Sequence, residues 1–490
     1  MPVDPITILP AVIDAVLAAG DLVAAEFARL DGPRFSDHVT APLDTEIELM
    51  LRDRLLALIP ARFVGEEAGT LEASTDESRQ NGDCWVVDPH DGTRAFLEGK
   101  RGSAISVALL RMGTPILAVV YAPTSPDRGR DLISWCMGGR IERNGAVVDI
   151  DPRDRDLNAD DVVFLNHGAW QRPDWHNAAC APAGFIPLPS IAYRLARIAV
   201  GDGIATQTLR PVNALDIAAG HALVMAAGGV LVAEDGVPVT YNVLGESRPS
   251  ACFGGAPKAV DILRKRPWRG SQEPRREPRI TLTWPRLTAE ATLDRAMGCL
   301  FGLAIGGGLG ADVELALAVA RSLLGHTSLD NAAIDDAVTG WIDSGGDASR
   351  ASALARAIPI GIWASDPQAA SIAARRDMPD SPAHVALAVA VAQGVSGGNP
   401  IEVARLAARF GHKDIVMASP HARRWSSAVS GALAGAAYGR AIFPAREVMR
   451  ILSARPGSGP GAARPRPDIY WTDDLAELAE ALLSQGQRGT

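Results

Sequence analysis

Trp85-Val-Val-Asp-Pro-His-Asp-Gly-Thr-Arg-Ala-Phe96 is the stretch on which the reading of this chain turns. Trp85 to Val87 are apolar and β-prone, and they predict a short buried strand. The strand runs into two carboxylates, Asp88 and Asp91, separated by Pro89 and His90, before Gly92 and Thr93 turn the chain. Two carboxylates at the end of a buried strand repel each other and lose hydration unless a cation neutralises them. Hard oxygen ligands in a tight turn suit Mg²⁺, which shares its shell between carboxylates, waters and a substrate phosphate. A helix starting at Gly92-Thr93 would turn its N–H groups toward that phosphate. The plain alternative is a solvated acidic turn, since Asp-Gly is a common turn pair.

The rest of the chain weighs between the two. Its 490 residues exceed one core and predict two or three domains. A composition of 47% hydrophobic, 21% charged and 5% aromatic residues is that of a globular protein. The net charge of −9 argues against a nucleic-acid binder, whose footprint is basic. Cys84, Cys136, Cys180, Cys252 and Cys299 are scattered and form no C-x-x-C pair, which argues against a disulfide framework and suggests a reducing compartment. Asp4 and Asp14 interrupt the apolar N-terminus, so no signal peptide is read there. The longest uncharged apolar run, 296–311, is short of the ~20 residues that span a bilayer. A cytoplasmic protein is expected.

Ile8, Val12, Val16, Ala19, Val23 and Phe27 recur at helical spacing and predict an amphipathic helix over residues 8–30. A second helix is predicted over 44–58 with Asp44 as its N-cap. Phe63-Val-Gly-Glu-Glu67 reads as a strand ending in two acids. Residues 105–110 and 115–121 read as strands joined by an Arg111-Met-Gly-Thr hairpin, and 162–165 as another. His167, just beyond it, is given no role. Helices are expected at 190–200 and from Leu215, with Asp216 as an N-cap. Arginines and prolines alternate over 263–286, which predicts an interdomain linker. From 287 onward Ala-rich helical periodicity takes over. Helices are expected at 289–305, 312–325, 329–343, 349–365, 382–394, 400–410, 425–440, 445–453 and 473–484.

Gly65-Glu66-Glu67, Asp88-Pro-His-Asp-Gly-Thr93 and Asp216-Ile-Ala-Ala-Gly220 occur in that order, with Ser103-Ala-Ile-Ser-Val-Ala, Ala118-Val-Val-Tyr-Ala-Pro123 and Ala227-Gly-Gly229 around them. On these motifs residues 1–262 resemble the inositol monophosphatase superfamily, which includes 3′(2′),5′-bisphosphate nucleotidases and some fructose-1,6-bisphosphatases. The resemblance implies a layered α/β sandwich and a lithium-sensitive, Mg²⁺-dependent phosphomonoesterase. It implies that Glu66, Asp88 and the backbone carbonyl of His90 hold one Mg²⁺, that Asp88, Asp91 and Asp216 hold a second, and that Glu66 contributes to a third; Mn²⁺ is an alternative. Gly92 and Thr93 would bind phosphate through their N–H groups, and Asp44 and Thr93 would orient the attacking water. Three departures stand out. Asp44 lies four positions after Thr40 where the family spacing is three; Leu215 replaces a tryptophan; and Leu209 replaces a glutamate that inositol-specific members use for ring hydroxyls.

The second half carries Gly298-Cys-Leu-Phe-Gly-Leu-Ala-Ile-Gly, Ala355-Arg-Ala-Ile-Pro-Ile-Gly, Ser430-Gly-Ala-Leu-Ala-Gly-Ala-Ala-Tyr-Gly439 and Trp471-Thr-Asp-Asp-Leu. There it resembles the all-α ADP-ribosylglycohydrolase family, which uses two Mg²⁺. Its first metal motif is reduced to Gly310-Ala-Asp-Val with the single acid Asp312, and its second falls at Ala422-Arg-Arg424. A binuclear site cannot be built from Asp312 alone, so residues 287–490 are expected to be a catalytically dead relative that binds ADP-ribose-like ligands, regulates the phosphatase or supports assembly.

The expected partner is a small phosphorylated metabolite: a bisphosphate nucleotide, an inositol phosphate or an ADP-ribose-related phosphate. Neither nucleic acid nor a membrane is expected, and a homodimer is a candidate assembly. The competing readings are an active ADP-ribosylglycohydrolase and a non-catalytic scaffold.

Overall fold

The structure is a computed structural model that describes residues 3–35, 41–67, 69–282, 284, 290–326, 328–408, 427–455 and 466–488. The chain divides into two compact units, Met1–Glu277 and Pro278–Thr490.

In the first unit α1 (Pro5–Phe27) and α2 (Pro42–Leu58) precede β1 (Arg62–Gly65), β2 (Thr70–Leu71), α3 (Asp76–Asn81), β3 (Asp83–Asp91) and α4 (Thr93–Leu97). A meander follows: β4 (Ala104–Arg111), β5 (Thr114–Ser125), β6 (Gly129–Cys136), β7 (Glu142–Arg143) and β8 (Ala146–Val147). Then come β9 (Val162–Leu165), α5 (Pro173–Cys180), β10 (Gly184–Pro187), α6 (Ile191–Ala199), β11 (Ala205–Thr208), α7 (Ala214–Ala226), β12 (Val230–Ala233), β13 (Cys252–Gly255) and α8 (Pro257–Leu263). One sheet has the order β2-β1-β3-β4-β5-β6-β7-β8 and the other β10-β9-β11-β13-β12.

Strand alternation sorts the side chains into layers. Trp85 and Val87 of β3, Ile105, Val107 and Leu109 of β4, and Leu117, Val119 and Tyr121 of β5 share one face, buried under α1 and α2. The stripe of α1 that covers them is Ile8, Val12, Val16, Ala19, Val23 and Phe27, the set its helical spacing singles out. By length and composition α1 could cross a membrane; its apolar stripe is the face packed on this sheet. Each fully buried Val, Ile, Leu or Phe of this layer contributes about 1.5–3 kcal/mol. The opposite sheet face packs on α6 and α7, which also contact the second sheet. On the far face of that sheet Val163, Phe185, Phe253, Val260 and Trp268 form a second core. The layers therefore run helices, sheet, helices, sheet, helices, a layered sandwich of the expected class.

Several local expectations change. The buried strand is longer than Trp85–Val87 and includes both aspartates. Met112 and Gly113 turn the hairpin with φ of 50° and 75°, the left-handed pair that a two-residue turn between twisted strands requires. Neither aspartate expected as an N-cap is one. Ala41 takes that position before α2, while Asp44 sits in its first turn with its side chain aimed elsewhere. Asn213 caps α7, and Asp216 is the third helical residue, accepting the Asn213 N–H at 2.6 Å. The basic stretch expected as a linker over 263–286 is packed on the first unit through Glu277. Trp268 is buried in the second core, and the Glu273 carboxylate accepts the Trp175 N–H at 2.7 Å. Its arginines anchor it as well: Arg266 donates to the Ala179 carbonyl at 3.1 Å and Arg276 pairs with Asp174 at 2.7 Å.

The second unit is helical and has no strand among its described residues: α9 (Glu290–Gly307), α10 (Ala311–Leu323), α11 (Asn331–Asp343), α12 (Ala357–Ala364), α13 (Pro367–Asp377), α14 (Pro382–Val395), α15 (Pro400–Ala408), α16 (Ala428–Tyr438), α17 (Ala445–Ser453) and α18 (Leu475–Arg488). The helix expected over 349–365 is a capped 3₁₀ turn followed by α12. α13 was not anticipated, although Asp366 caps it and Pro367 opens it. Ala422-Arg-Arg424 lies outside the described residues.

Candidate active site

β3 and β4 pair Asp88 with Ser106 and Asp91 with Ala104, so β3 carries one extra residue over this interval. In an unbroken strand, residues three apart point to opposite faces. The bulge resets that parity, and Asp88 and Asp91 come to the same side. β1 runs parallel to β3 with Gly65 opposite Val87, so Glu66 follows the strand at the level of Asp88. Asp216 arrives from the first turn of α7. Carboxylate oxygens of Asp88, Asp91 and Asp216 lie within 4.8 Å of one another.

Each acid is held separately. Asp88 is buried and accepts the His90 N–H at 2.8 Å. Asp91 Oδ2 accepts the Ser190 hydroxyl at 2.6 Å and the Ala192 N–H at 2.8 Å, both at the start of α6. Among the described residues no Lys, Arg or His forms an ion pair with Asp88, Asp91, Asp216 or Glu66. Their acidities record the crowding. Burial, then the charges of Asp91, Glu66 and Asp216, drives Asp88 well above the ordinary carboxylate range. Burial and Asp216 push Asp91 up to about 6, against the pull of its hydrogen bonds and Arg194. Glu66, on the loop after β1, is pushed up to about 7 by desolvation of its carboxylate first and then by Asp216, Glu67, Asp91 and Asp44. Asp216 is raised by burial, with the Asn213 N–H and Arg210 acting in the other direction.

Three hard oxygens at this spacing fit a divalent cation. Oxygens about one octahedral Mg²⁺ at ~2.1 Å are separated by roughly 3 to 4 Å, so little adjustment is needed. The raised pKa values are the cost of holding these groups together without positive charge.

The turn supplies the remaining expected groups. Gly92 has a φ of 100°, a conformation that disfavours any side chain, and leads into α4. Thr93 donates its hydroxyl to the His90 carbonyl at 2.7 Å. Asp44 is buried, and its Oδ1 lies 2.8 Å from His90 Nδ1; His90 Nε2 lies 2.9 Å from the Ser103 hydroxyl. Thus Asp44, Glu66, Asp88, His90, Asp91, Gly92, Thr93 and Asp216 gather at the C-terminal ends of β1 and β3 and the start of α7. Sequence reasoning missed Ser103, Ser190 and the buried Glu48. Glu48 accepts the Glu67 N–H at 2.8 Å and occupies the space a Cβ on Gly65 would need. In the sequence Ser190 and Ser103 appear without a role, Ser190 as the first residue of the helix expected at 190–200 and Ser103 as the first of a quoted motif.

In the second unit no group of three potential ligands exists among the described residues. Asp312 accepts the Ser352 N–H at 2.6 Å, and Glu314 is held by Arg466 and the Trp341 N–H.

Comparison with known proteins follows the same division. The model of the inositol monophosphatase family matches residues 5–252. An inositol-1-monophosphatase of Rhizobium meliloti is 30% identical over 45% of this chain and 84% of its own length. A histidinol-phosphatase of Mycobacterium tuberculosis is 31% identical over 36% of this chain and 65% of its own length. Among solved structures, the inositol monophosphatase of Anabaena aligns with a TM-score of 0.41 at 20% identity, covering 53% of this chain and 94% of that one.

Proposed function

Because the chain belongs to the inositol monophosphatase family and is a phosphoric monoester hydrolase acting on a phosphorylated small molecule, we propose that its first unit works with Mg²⁺ held by Glu66, Asp88, Asp91, Asp216 and the His90 carbonyl. The observation that carries this reading is the convergence of Asp88, Asp91 and Asp216 within 4.8 Å, with no cationic side chain among the described residues in an ion pair with them. Bound Mg²⁺ would supply Lewis acidity toward a water and the phosphate oxygens. Asp88, Asp91 and Asp216 would offer it their carboxylate oxygens. The N–H groups of Gly92 and Thr93 would take the non-reacting phosphate oxygens. The Thr93 hydroxyl gives its proton to the His90 carbonyl, so its lone pairs face outward to accept a hydrogen from the attacking water. Asp44 would be the second acceptor for that water.

The leaving group is a small metabolite. Leu209 packs beside the second core, putting hydrocarbon where a hydroxyl-binding glutamate would be expected in an inositol-specific enzyme. Arg210 is exposed and close enough to Asp216 to oppose the rise that burial causes in its pKa. A cation there would meet a second phosphate, which favours bisphosphorylated substrates such as a 3′(2′),5′-bisphosphate nucleotide over inositol phosphates.

The second unit is proposed to be a non-hydrolytic relative of ADP-ribosylglycohydrolases, supported by the engagement of Asp312 and Glu314 in protein contacts.

The test is phosphate release from adenosine 3′,5′-bisphosphate, inositol 1-phosphate, histidinol phosphate, fructose 1,6-bisphosphate and ADP-ribose phosphates, with Mg²⁺, Mn²⁺, Li⁺ or chelator. Mg²⁺-dependent, Li⁺-sensitive turnover on at least one is expected. Turnover that survives chelation, or none on any compound, would defeat the reading.

A further inference from the structure

His90 lies in the same turn as the proposed ligands, but its side chain is not among them. The ring is buried, stacked edge-on to Phe96 at 4.3 Å between centroids. It joins two segments: Asp44 on α2 through Nδ1 at 2.8 Å, and Ser103, just before β4, through Nε2 at 2.9 Å. A carboxylate accepts and does not donate. The Nδ1 proton therefore points to Asp44, and Nε2 is hydrogen-bonded to the Ser103 hydroxyl. Among the described residues only Oδ1 of Asp44 is engaged, which leaves Oδ2 for the attacking water. The same residue's carbonyl holds the Thr93 hydroxyl at 2.7 Å.

We propose that His90 is a positioning residue for hydrolysis: its ring fixes the Asp44 carboxylate while its carbonyl fixes Thr93, so one residue orients both acceptors of the attacking water. The inference rests on the phosphatase reading above. Its physical basis is that Asp44 belongs to a helix far from the turn in sequence, with no bond of its own to the phosphate-binding peptide. The His90 ring ties it to the very peptide that carries Asp91, Gly92 and Thr93. Ser103 holds the ring from behind, so the imidazole cannot rotate away without breaking a second hydrogen bond. An apolar residue at this position would preserve the carbonyl and its bond to Thr93 but release Asp44. Displacement of a water-orienting group by about 1 Å is enough to cost on the order of 10²-fold in rate.

Asparagine and glutamine separate the two ring nitrogens. The amide nitrogen of His90→Asn can stand where Nδ1 stands and keep the bond to Asp44; the amide of His90→Gln reaches the Nε2 position and loses it. His90→Leu is expected to lower kcat tenfold or more, with KM and the Mg²⁺ concentration for half-maximal activity changed less than twofold. His90→Asn should recover kcat to within about threefold of the wild type, and His90→Gln should not. If His90 acts through Asp44, the double variant D44N/H90L is no slower than D44N alone. The proposal is overturned if His90→Leu keeps kcat within twofold, if its loss is matched by a rise in KM or in the Mg²⁺ requirement, or if the double variant multiplies both losses. Should His90→Leu fail to fold by circular dichroism, equal kcat in the Asn and Gln variants would overturn it instead. A wild-type protein that releases no phosphate would refute the phosphatase reading itself, a different result from an active enzyme indifferent to position 90.

Discussion

Ser190 donates its hydroxyl to Asp91 at 2.6 Å across 99 positions of sequence, and the same hydroxyl caps α6 by accepting the Tyr193 N–H at 2.9 Å. One oxygen thus orients a proposed metal ligand and starts a helix. Removing such an outer partner of a ligand typically lowers metal affinity 10–100-fold, and losing a serine N-cap costs about 1 kcal/mol. Ser190→Ala is expected to raise the Mg²⁺ concentration for half-maximal activity at least tenfold and to lower the melting temperature by a few degrees. A metal requirement unchanged alongside a lower melting temperature would leave Ser190 with the helix alone.

The acid cluster sets a pH dependence of stability whose sign follows from the raised pKa values. Asp91 at about 6 and Glu66 at about 7 bind protons more tightly folded than unfolded, where they titrate near 3.8 and 4.5. The stability they contribute is full below those unfolded values and is lost as pH rises through the folded ones. Metal-free protein is therefore expected to lose stability from these groups between about pH 4 and 7. Saturating Mg²⁺ should restore it at pH 7.5 and less so at pH 5, where protons compete for the ligands. Melting temperatures across pH, with chelator and with Mg²⁺, measure both arms; an Mg²⁺ effect that grows as pH falls would contradict the assignment.

Neutralising one member should relieve the same repulsion. Asp88→Asn and Asp216→Asn are each expected to abolish turnover while leaving the metal-free protein folded. Asp88→Asn should also melt higher than the wild type in chelator, because burial and three neighbouring carboxylates oppose the Asp88 charge. Turnover retained in either variant, or a metal-free Asp88→Asn protein that melts well below the wild type, would show that these acids do not form the cluster as described.

How much of this was legible in the sequence depends on distance along the chain. Asp88 and Asp91 could be seen as a pair because they share one strand end, and α1 because its stripe repeats every turn. The parity change between the two aspartates could not be read, since a bulge is defined by the partner strand and not by the residues that contain it. The bond from Asp44 to His90 was hidden for a related reason: near a helix start an aspartate reads as a cap, and only tertiary contact shows its side chain turned to the imidazole. Trp268 misled in the opposite sense, a single core residue inside an Arg/Pro-rich run whose average composition reads as solvated.

The thiols are expected to be silent. All five cysteines are buried, and burial pushes Cys84 and Cys252 up to about 12 and Cys299 higher still. Thiolate is the reactive form, so native protein at pH 7.5 should take up iodoacetamide slowly at all five sites and rapidly once unfolded. Fast labelling of Cys252 in the folded state, read by mass spectrometry, would mean that the second sheet opens.

The helical unit offers a test in which one substitution has opposite signs at two places. Glycine inside a helix is normally about 1 kcal/mol less favourable than alanine. At Gly340 in α11 an added Cβ meets nothing within 4 Å, so Gly340→Ala should stabilise the unit by about 0.5–1 kcal/mol. Along α9 and α16 the glycines do something else. A Cβ on Gly302 would overlap the Gly431 carbonyl, one on Gly431 the Gly302 carbonyl, and one on Gly435 the Gly298 carbonyl. The two helices touch backbone to backbone, and a methyl group there must push them apart, at an overpacking cost of about 1–3 kcal/mol. Gly302→Ala and Gly431→Ala are therefore expected to destabilise the unit despite their better helix propensity. Phosphate release measured on the same variants should stay near the wild-type rate, because every residue assigned to hydrolysis lies in Met1–Glu277. Asp312→Asn should be equally silent in that assay. A parallel collapse of activity in these variants would mean that hydrolysis depends on the helical unit after all.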